Sequence, residues 1–229
     1  MRAEAKARLV LEGLRRRYLG DATFLQKPGT ALATVAAETQ DPFRVLISTI
    51  LSHRTRDERT AMASRQLFRR YSTVVTLARA PVADVRRRIK PVNFHVGKAR
   101  RVKEVARYLL AHHGGKVPRA YEDLLAIPMV GPKTANCVLV YAFGEAAIPV
   151  DTHCHRVPNR IGFVRTKTPE ATEAALKRLL PRSYWLDVNE LVIRFGKEVC
   201  RPIGPRCVEC GFTAVCQYYR AGKGRVADR

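Results

Sequence analysis

No run of eighteen apolar residues occurs in the 229-residue sequence, so no segment is suited to crossing a bilayer as a helix. The N-terminus is basic, but Glu4 and Glu12 interrupt it and the apolar stretch of a secretory signal is missing. Its helical stripe of Val10, Leu11, Leu14 and Tyr18 reads as part of the fold rather than as a transit peptide, so a cytoplasmic location is expected. No segment shows a convincing strand pattern, and there is no internal repeat or low-complexity tract. Acid is also scarce, with 20 Asp and Glu against 42 Lys and Arg, for a formal net charge of +22. Without a membrane segment, that excess points to a polyanionic partner whose phosphates release counterions on binding.

What is present is helix. Hydrophobic residues make up 46% of the chain, ample for a packed core. Gly20 should end the first helix, and a loop runs to about Thr30. Asp41-Pro42 is an N-cap followed by proline at the first helical position. Behind it, Phe43, Leu46, Ile47, Ile50 and Leu51 form a wide apolar face, which places this helix at the centre of a core. A basic amphipathic helix is expected over 57–71 and a shorter one over 77–89. The next, over 98–113, stops at Gly114-Gly115. Thr168-Pro169 starts another that ends before Pro181, and Trp185, Val188, Val192 and Phe195 mark the last long one. The fold class is all-α.

The six cysteines are of two kinds. Cys137 and Cys154 stand alone in helical segments and read as small buried residues. The other four form the run Cys200-x6-Cys207-x2-Cys210-x5-Cys216, with no histidine nearby. In a cytosolic chain such a run suits metal ligation better than disulfides. A tetrahedral zinc and a [4Fe–4S] cluster both accept four thiolates. Zinc sites usually offer two short knuckle pairs, whereas here one Cys-x2-Cys lies between wider gaps, which leans towards the cubane.

The most distinctive stretch is Ile127-Pro128-Met129-Val130-Gly131-Pro132-Lys133-Thr134-Ala135. A helix over 118–126 stops at Pro128, a tight turn centred on Gly131 follows, and Pro132 opens the next helix. That helix buries Ala135, Val138, Leu139 and Ala142 and ends at Gly144. It carries Lys133 in its first turn, and Asp151 follows in Val150-Asp151-Thr152-His153 as the N-cap of another helix. The unpaired N–H groups where such a turn meets a helix bind phosphate without reading sequence.

Together these motifs resemble the helix-hairpin-helix DNA glycosylases of the endonuclease III branch, over nearly the whole chain. The resemblance implies a bifunctional glycosylase and abasic-site lyase that removes oxidised pyrimidines such as thymine glycol from double-stranded DNA, working as a monomer. It implies a six-helix domain over 35–145 carrying the hairpin. A discontinuous domain of 1–34 with 146–229 would hold a [4Fe–4S] cluster on Cys200, Cys207, Cys210 and Cys216, with the active site in the cleft between the domains. Lys133 would be the amine nucleophile. Asp151 would take up its proton or stabilise positive charge on the sugar. Val130 and Gly131 would face the DNA backbone, with Arg201 and Arg206 as further phosphate contacts. Two turns would fill the gap left by a flipped base. One is Ser52-His53-Arg54-Thr55, where Arg54 replaces the common glutamine, and the other is Val92-Asn93-Phe94-His95, with Phe94 as an apolar wedge. Met129 replaces a common glycine, and would be strained if its φ must be positive.

Two other readings share these features. Mismatch-specific glycosylases have the same fold but usually lack the hairpin lysine. Those excising adenine also carry an extra C-terminal recognition domain, whereas this chain ends thirteen residues after Cys216. A non-catalytic helix-hairpin-helix protein would grip DNA and use the cysteines for structural zinc.

Overall fold

Caps and prolines set most of the helix starts in the computed structural model, which describes residues 1–224. Helix α1 (Ala3–Tyr18) closes where Gly20 adopts φ +62° and donates to the Arg15 carbonyl at 2.9 Å. Thr30 caps α2 (Ala31–Thr39) through a 3.2 Å bond from the Ala33 amide. Asp41 caps α3 (Pro42–Ser52) through a 2.9 Å bond from the Phe43 amide. There follow α4 (Asp57–Phe68), α5 (Val74–Arg79), α6 (Val82–Arg88), α7 (His95–His113), α8 (Tyr121–Ala126) and α9 (Pro132–Phe143). The remaining α-helices are α10 (Thr152–Ile161), α11 (Pro169–Leu179), α12 (Trp185–Glu198) and α13 (Gln217–Arg220). No strand occurs among the described residues.

Several elements differ from the sequence expectation. The stretch expected as one helix over 77–89 is two, because Pro81 has no N–H to donate and holds Ala80 extended at ψ 142°. Helix α2 fills the stretch between the loop ending at about Thr30 and the Asp41 cap, for which no element was expected. Helix α7 begins three residues early, after the left-handed Phe94 turns the chain sharply into it. Helix α8 begins at Tyr121 and α4 ends at Phe68.

The chain divides into two compact units, Pro28–Ala147 and Met1–Lys27 with Ile148–Arg229. In the first, α3 packs against α2, α4, α7 and α9. Leu46, Ile47, Ile50 and Leu51 are almost fully buried. Each such side chain contributes about 1.5–3 kcal/mol relative to exposure. In the second, α12 packs against α1 and α10. Ion pairs Arg15–Asp187 and Arg17–Glu198 and a 2.5 Å bond from the Tyr18 hydroxyl to Glu198 tie α1 to α12. Gly13 leaves room for the Phe212 ring, since a Cβ there would lie 2.7 Å from it. Phe212 in turn meets Phe195 edge-on at 5.6 Å, so the cysteine-bearing loop is anchored on α1 and α12.

Candidate functional site

The hairpin turn is centred before Gly131, the residue expected at its centre. Pro128 and Met129 form its corner, with Met129 at φ +69° and the Val130 amide donating to the Ile127 carbonyl at 3.1 Å. Proline second, positive φ third and a closing bond are the pattern of a type II turn. Gly131 is not the left-handed residue. It is extended at φ −99°, exposed, and a Cβ there would meet nothing within 4 Å. Neither conformation nor internal packing therefore requires glycine at 131, and its lack of a side chain leaves the surface open to a close-lying ligand. Gly131 also supplies no side-chain cap, so the first N–H groups of α9 have no side-chain acceptor there. Val130 buries its side chain, 6% exposed, and only its backbone can serve a contact. Lys133, the second residue of α9, is half-buried.

His53 lies beside Lys133, a neighbour the sequence did not announce. Its Nε2 is 3.1 Å from the Thr134 hydroxyl. Burial, with repulsion from Lys133, Lys98 and Arg101, lowers its pKa to about 4, so the ring is neutral at physiological pH. The neighbouring Arg54 and the more distant Phe94 are brought together. Both are left-handed, at φ +55° and +58°, and the Arg54 guanidinium stands 5.1 Å from the Phe94 ring centroid. Among the described residues, Gln40 is the one non-glycine residue with positive φ that lies away from the three turns carrying Arg54, Phe94 and Met129. Such strain concentrates where a ligand must be met in one fixed geometry.

In the other unit, Asp151 caps α10. Its Oδ1 accepts from the His153 amide at 2.9 Å and the Cys154 amide at 2.8 Å, so the cap uses one of the two carboxylate oxygens. The same helix then braces the cysteine loop. Arg156 donates to the carbonyls of Gly196 at 3.1 Å and Cys200 at 3.0 Å. One turn later Arg160 donates to those of Arg201 at 2.5 Å and Pro202 at 2.8 Å, with Nη1 3.9 Å from the Cys200 sulfur. In the sequence, the one signal of this role is the i, i+4 spacing of these two arginines before the cysteine run. His153 packs on Gly196, where a Cβ would lie 2.5 Å from its Nδ1.

Cys200, Cys207, Cys210 and Cys216 line one small cavity of about 20 Å³. Among the described residues no three His, Cys, Asp or Glu side chains converge as a single ion would need. Burial pushes the thiols of Cys200, Cys207 and Cys210 up, the last to about 11. A bound metal centre that takes thiolates would offset that cost. Gly224 passes so close that a Cβ would lie 2.5 Å from the Cys207 sulfur. Arg206 pairs with Glu209 at 3.5 Å in an exposed bridge, weak enough to exchange for a phosphate. Cys137 and Cys154 are fully buried, and neither lines this cavity.

Comparison with known proteins adds relatives to this geometry. The family model described as HhH-GPD superfamily base excision DNA repair protein matches residues 47–182. Endonuclease III of Thermotoga maritima is 49% identical over 190 residues, covering 82% of this chain and 89% of that protein. A solved non-covalent endonuclease III–DNA complex aligns with a TM-score of 0.85 at 27% identity, over 98% of this chain and 100% of that one. A trapped endonuclease III–DNA covalent intermediate gives 0.83 at 27% identity, over 97% and 99%.

Proposed function

The chain belongs to the HhH-GPD superfamily of base excision DNA repair proteins, and from that premise we infer how its own residues excise a base and cut the strand. It is a DNA glycosylase of the endonuclease III type that binds DNA, with the abasic-site lyase activity typical of that family. Its substrates, on our reading, are oxidised pyrimidines such as thymine glycol in duplex DNA, attacked by a monomer in the cytoplasm. The observation that carries this reading is the placement of Lys133 in the first turn of α9, directly behind a strained turn.

Lys133 attacks the sugar C1′ as the bond to the base breaks, and the base leaves with that electron pair and a proton. The C1′–O4′ bond then breaks, O4′ keeping the electron pair and taking a proton from water. The nitrogen lone pair forms the C1′=N bond of a protonated Schiff base, which acidifies the C2′ hydrogen. Loss of that proton expels the 3′ phosphate, and water then hydrolyses the Schiff base to free Lys133. Attack requires the neutral amine, which the positive end of α9 and exclusion of water by bound DNA favour. Asp151 keeps Oδ2 for positive charge developing on the sugar, while Oδ1 holds the start of α10. Val130 and Gly131 offer backbone N–H groups to a phosphate, and Arg201 and Arg206 add charge.

Cys200, Cys207, Cys210 and Cys216 would hold a [4Fe–4S] cluster. Four thiols around a cavity, with Arg160 against one sulfur, fit a polynuclear centre. Bound there, the cluster supplies a structural cross-link for the loop. We assign 35–145 as the hairpin domain and 1–34 with 146–229 as the cluster domain.

The substrate test is a duplex carrying one thymine glycol. The protein should release the base and cleave the strand, and inactivity there with activity on another lesion would overturn the substrate assignment. Asp151→Asn should bind the duplex as tightly as the native protein but release the base at least about a hundredfold more slowly. A full rate in that variant would make Asp151 a helix cap only.

A further inference from the structure

Helix α3 ends at Ser52, and its last carbonyls have no partner within the helix. Lys98, in the first turn of α7, reaches them. Its Nζ donates to the carbonyls of Leu51 at 2.6 Å and His53 at 2.7 Å and to the Thr55 hydroxyl at 3.1 Å. An ammonium has three donors, and these three acceptors take them all. The residue is only 5% exposed, an unusual place for a lysine, and the negative end of α3 is what makes the charge tolerable. From the 92–95 turn, the Asn93 side chain donates to the Arg54 carbonyl at 2.6 Å and its backbone amide to the Thr55 hydroxyl at 3.2 Å. Residues far apart in the chain are therefore stitched into one piece around Thr55.

At the tip of that piece stand the two left-handed residues, Arg54 and Phe94, with their side chains stacked. Phe94 is 61% exposed, so burial in its own fold does not account for it. At the base of the piece, His53 hands its carbonyl to Lys98 and its imidazole to Thr134, the residue after Lys133.

We propose that Lys98 is a positioning residue that locks the 52–55 and 92–95 turns into one rigid wedge. The Arg54–Phe94 tip enters the space left by an extruded base, and His53 fixes the wedge to the start of the helix carrying Lys133. This rests on the glycosylase reading above. A wedge ordered before it meets DNA loses little conformational freedom on insertion, so more of the contact free energy is left to hold the base out of the stack. Lysine suits the role because its three donors radiate from one atom onto three acceptors, whereas the planar fork of arginine would not match them.

The test compares the native protein with Lys98→Met, Phe94→Ala and the double variant. One readout is single-turnover release of thymine glycol from a duplex. The other is the fluorescence of 2-aminopurine placed opposite a non-cleavable abasic analogue, which rises when that base is unstacked by a wedge. Lys98→Met and Phe94→Ala should each slow release by about ten- to a hundredfold. Each should also abolish the fluorescence rise. The double variant should be no worse than the poorer single one, because a wedge that is not held in place has no tip to lose. Native rates and native fluorescence in Lys98→Met, or losses that multiply in the double variant, would overturn the proposal. Should Lys98→Met fail to fold, Asn93→Ala cuts the exposed half of the stitching and faces the same criteria. Failure of the native protein to release any base strikes the glycosylase reading instead.

Discussion

Met129 holds a left-handed backbone at φ +69° in the corner of the hairpin turn. A side chain there costs about 1–2 kcal/mol, against which glycine loses about 0.5–1 kcal/mol of backbone entropy. Met129→Gly should therefore stabilise the protein by up to about 1 kcal/mol, read as a higher urea midpoint at an unchanged slope. A lower midpoint would mean that the methionine side chain contributes more than its strain costs. The strain was legible because the motif sets a methionine where a glycine is common. The centre of the turn was not, since only the closing bond to Ile127 sets its corner at Pro128 and Met129 and not at Gly131. His53 was harder still, because nothing in the local sequence pairs it with Thr134. Its folded pKa of about 4 lies below the ordinary 6.5, so as pH falls the unfolded chain takes the proton first. The contribution present above pH 6.5 is lost progressively down to about pH 4. His53→Gln should flatten that part of the stability–pH curve in urea titrations. An unchanged acid slope in the variant would contradict the burial of a neutral imidazole.

At the scale of elements, caps and prolines were the readable signals. Asp41-Pro42, Thr168-Pro169 and Gly144 start or stop helices where the sequence says. Helix α2 was missed because Ala31, Leu32, Ala33, Val35 and Ala36 are all buried, so the run shows little polar alternation to set a helical period. Helix α10 has the opposite character. It starts at the Asp151 cap and places Arg156 and Arg160 on successive turns against the carbonyls of the cysteine loop. Such bracing depends on a loop conformation that no periodicity encodes. The loop is held by Phe212 on one side and Arg160 on the other, and its four thiols are the ligands proposed for the cluster. Replacing Cys207 by Ala should lower bound iron and sulfide below stoichiometry and bleach the broad visible absorption. It should also lower the thermal midpoint of unfolding. Unchanged iron in that variant would remove Cys207 from the ligand set.

Over the whole molecule, the positive excess of +22 brings the chain to DNA and the motifs decide what happens there. The pairing of α1 with α12 through Arg15, Arg17 and Tyr18 joins segments from opposite ends of the chain. Local sequence has no signature for it, because the pairing is set by which apolar faces meet and not by the period within either helix. The proposed chemistry turns on one atom, the Lys133 amine nitrogen acting as nucleophile. The direct measurement is borohydride trapping on a duplex bearing thymine glycol, resolved as a slower band on a denaturing gel. The native protein should form a covalent complex and Lys133→Ala none, while a native protein that traps nothing, or a Lys133→Ala band as strong as the native one, would contradict it.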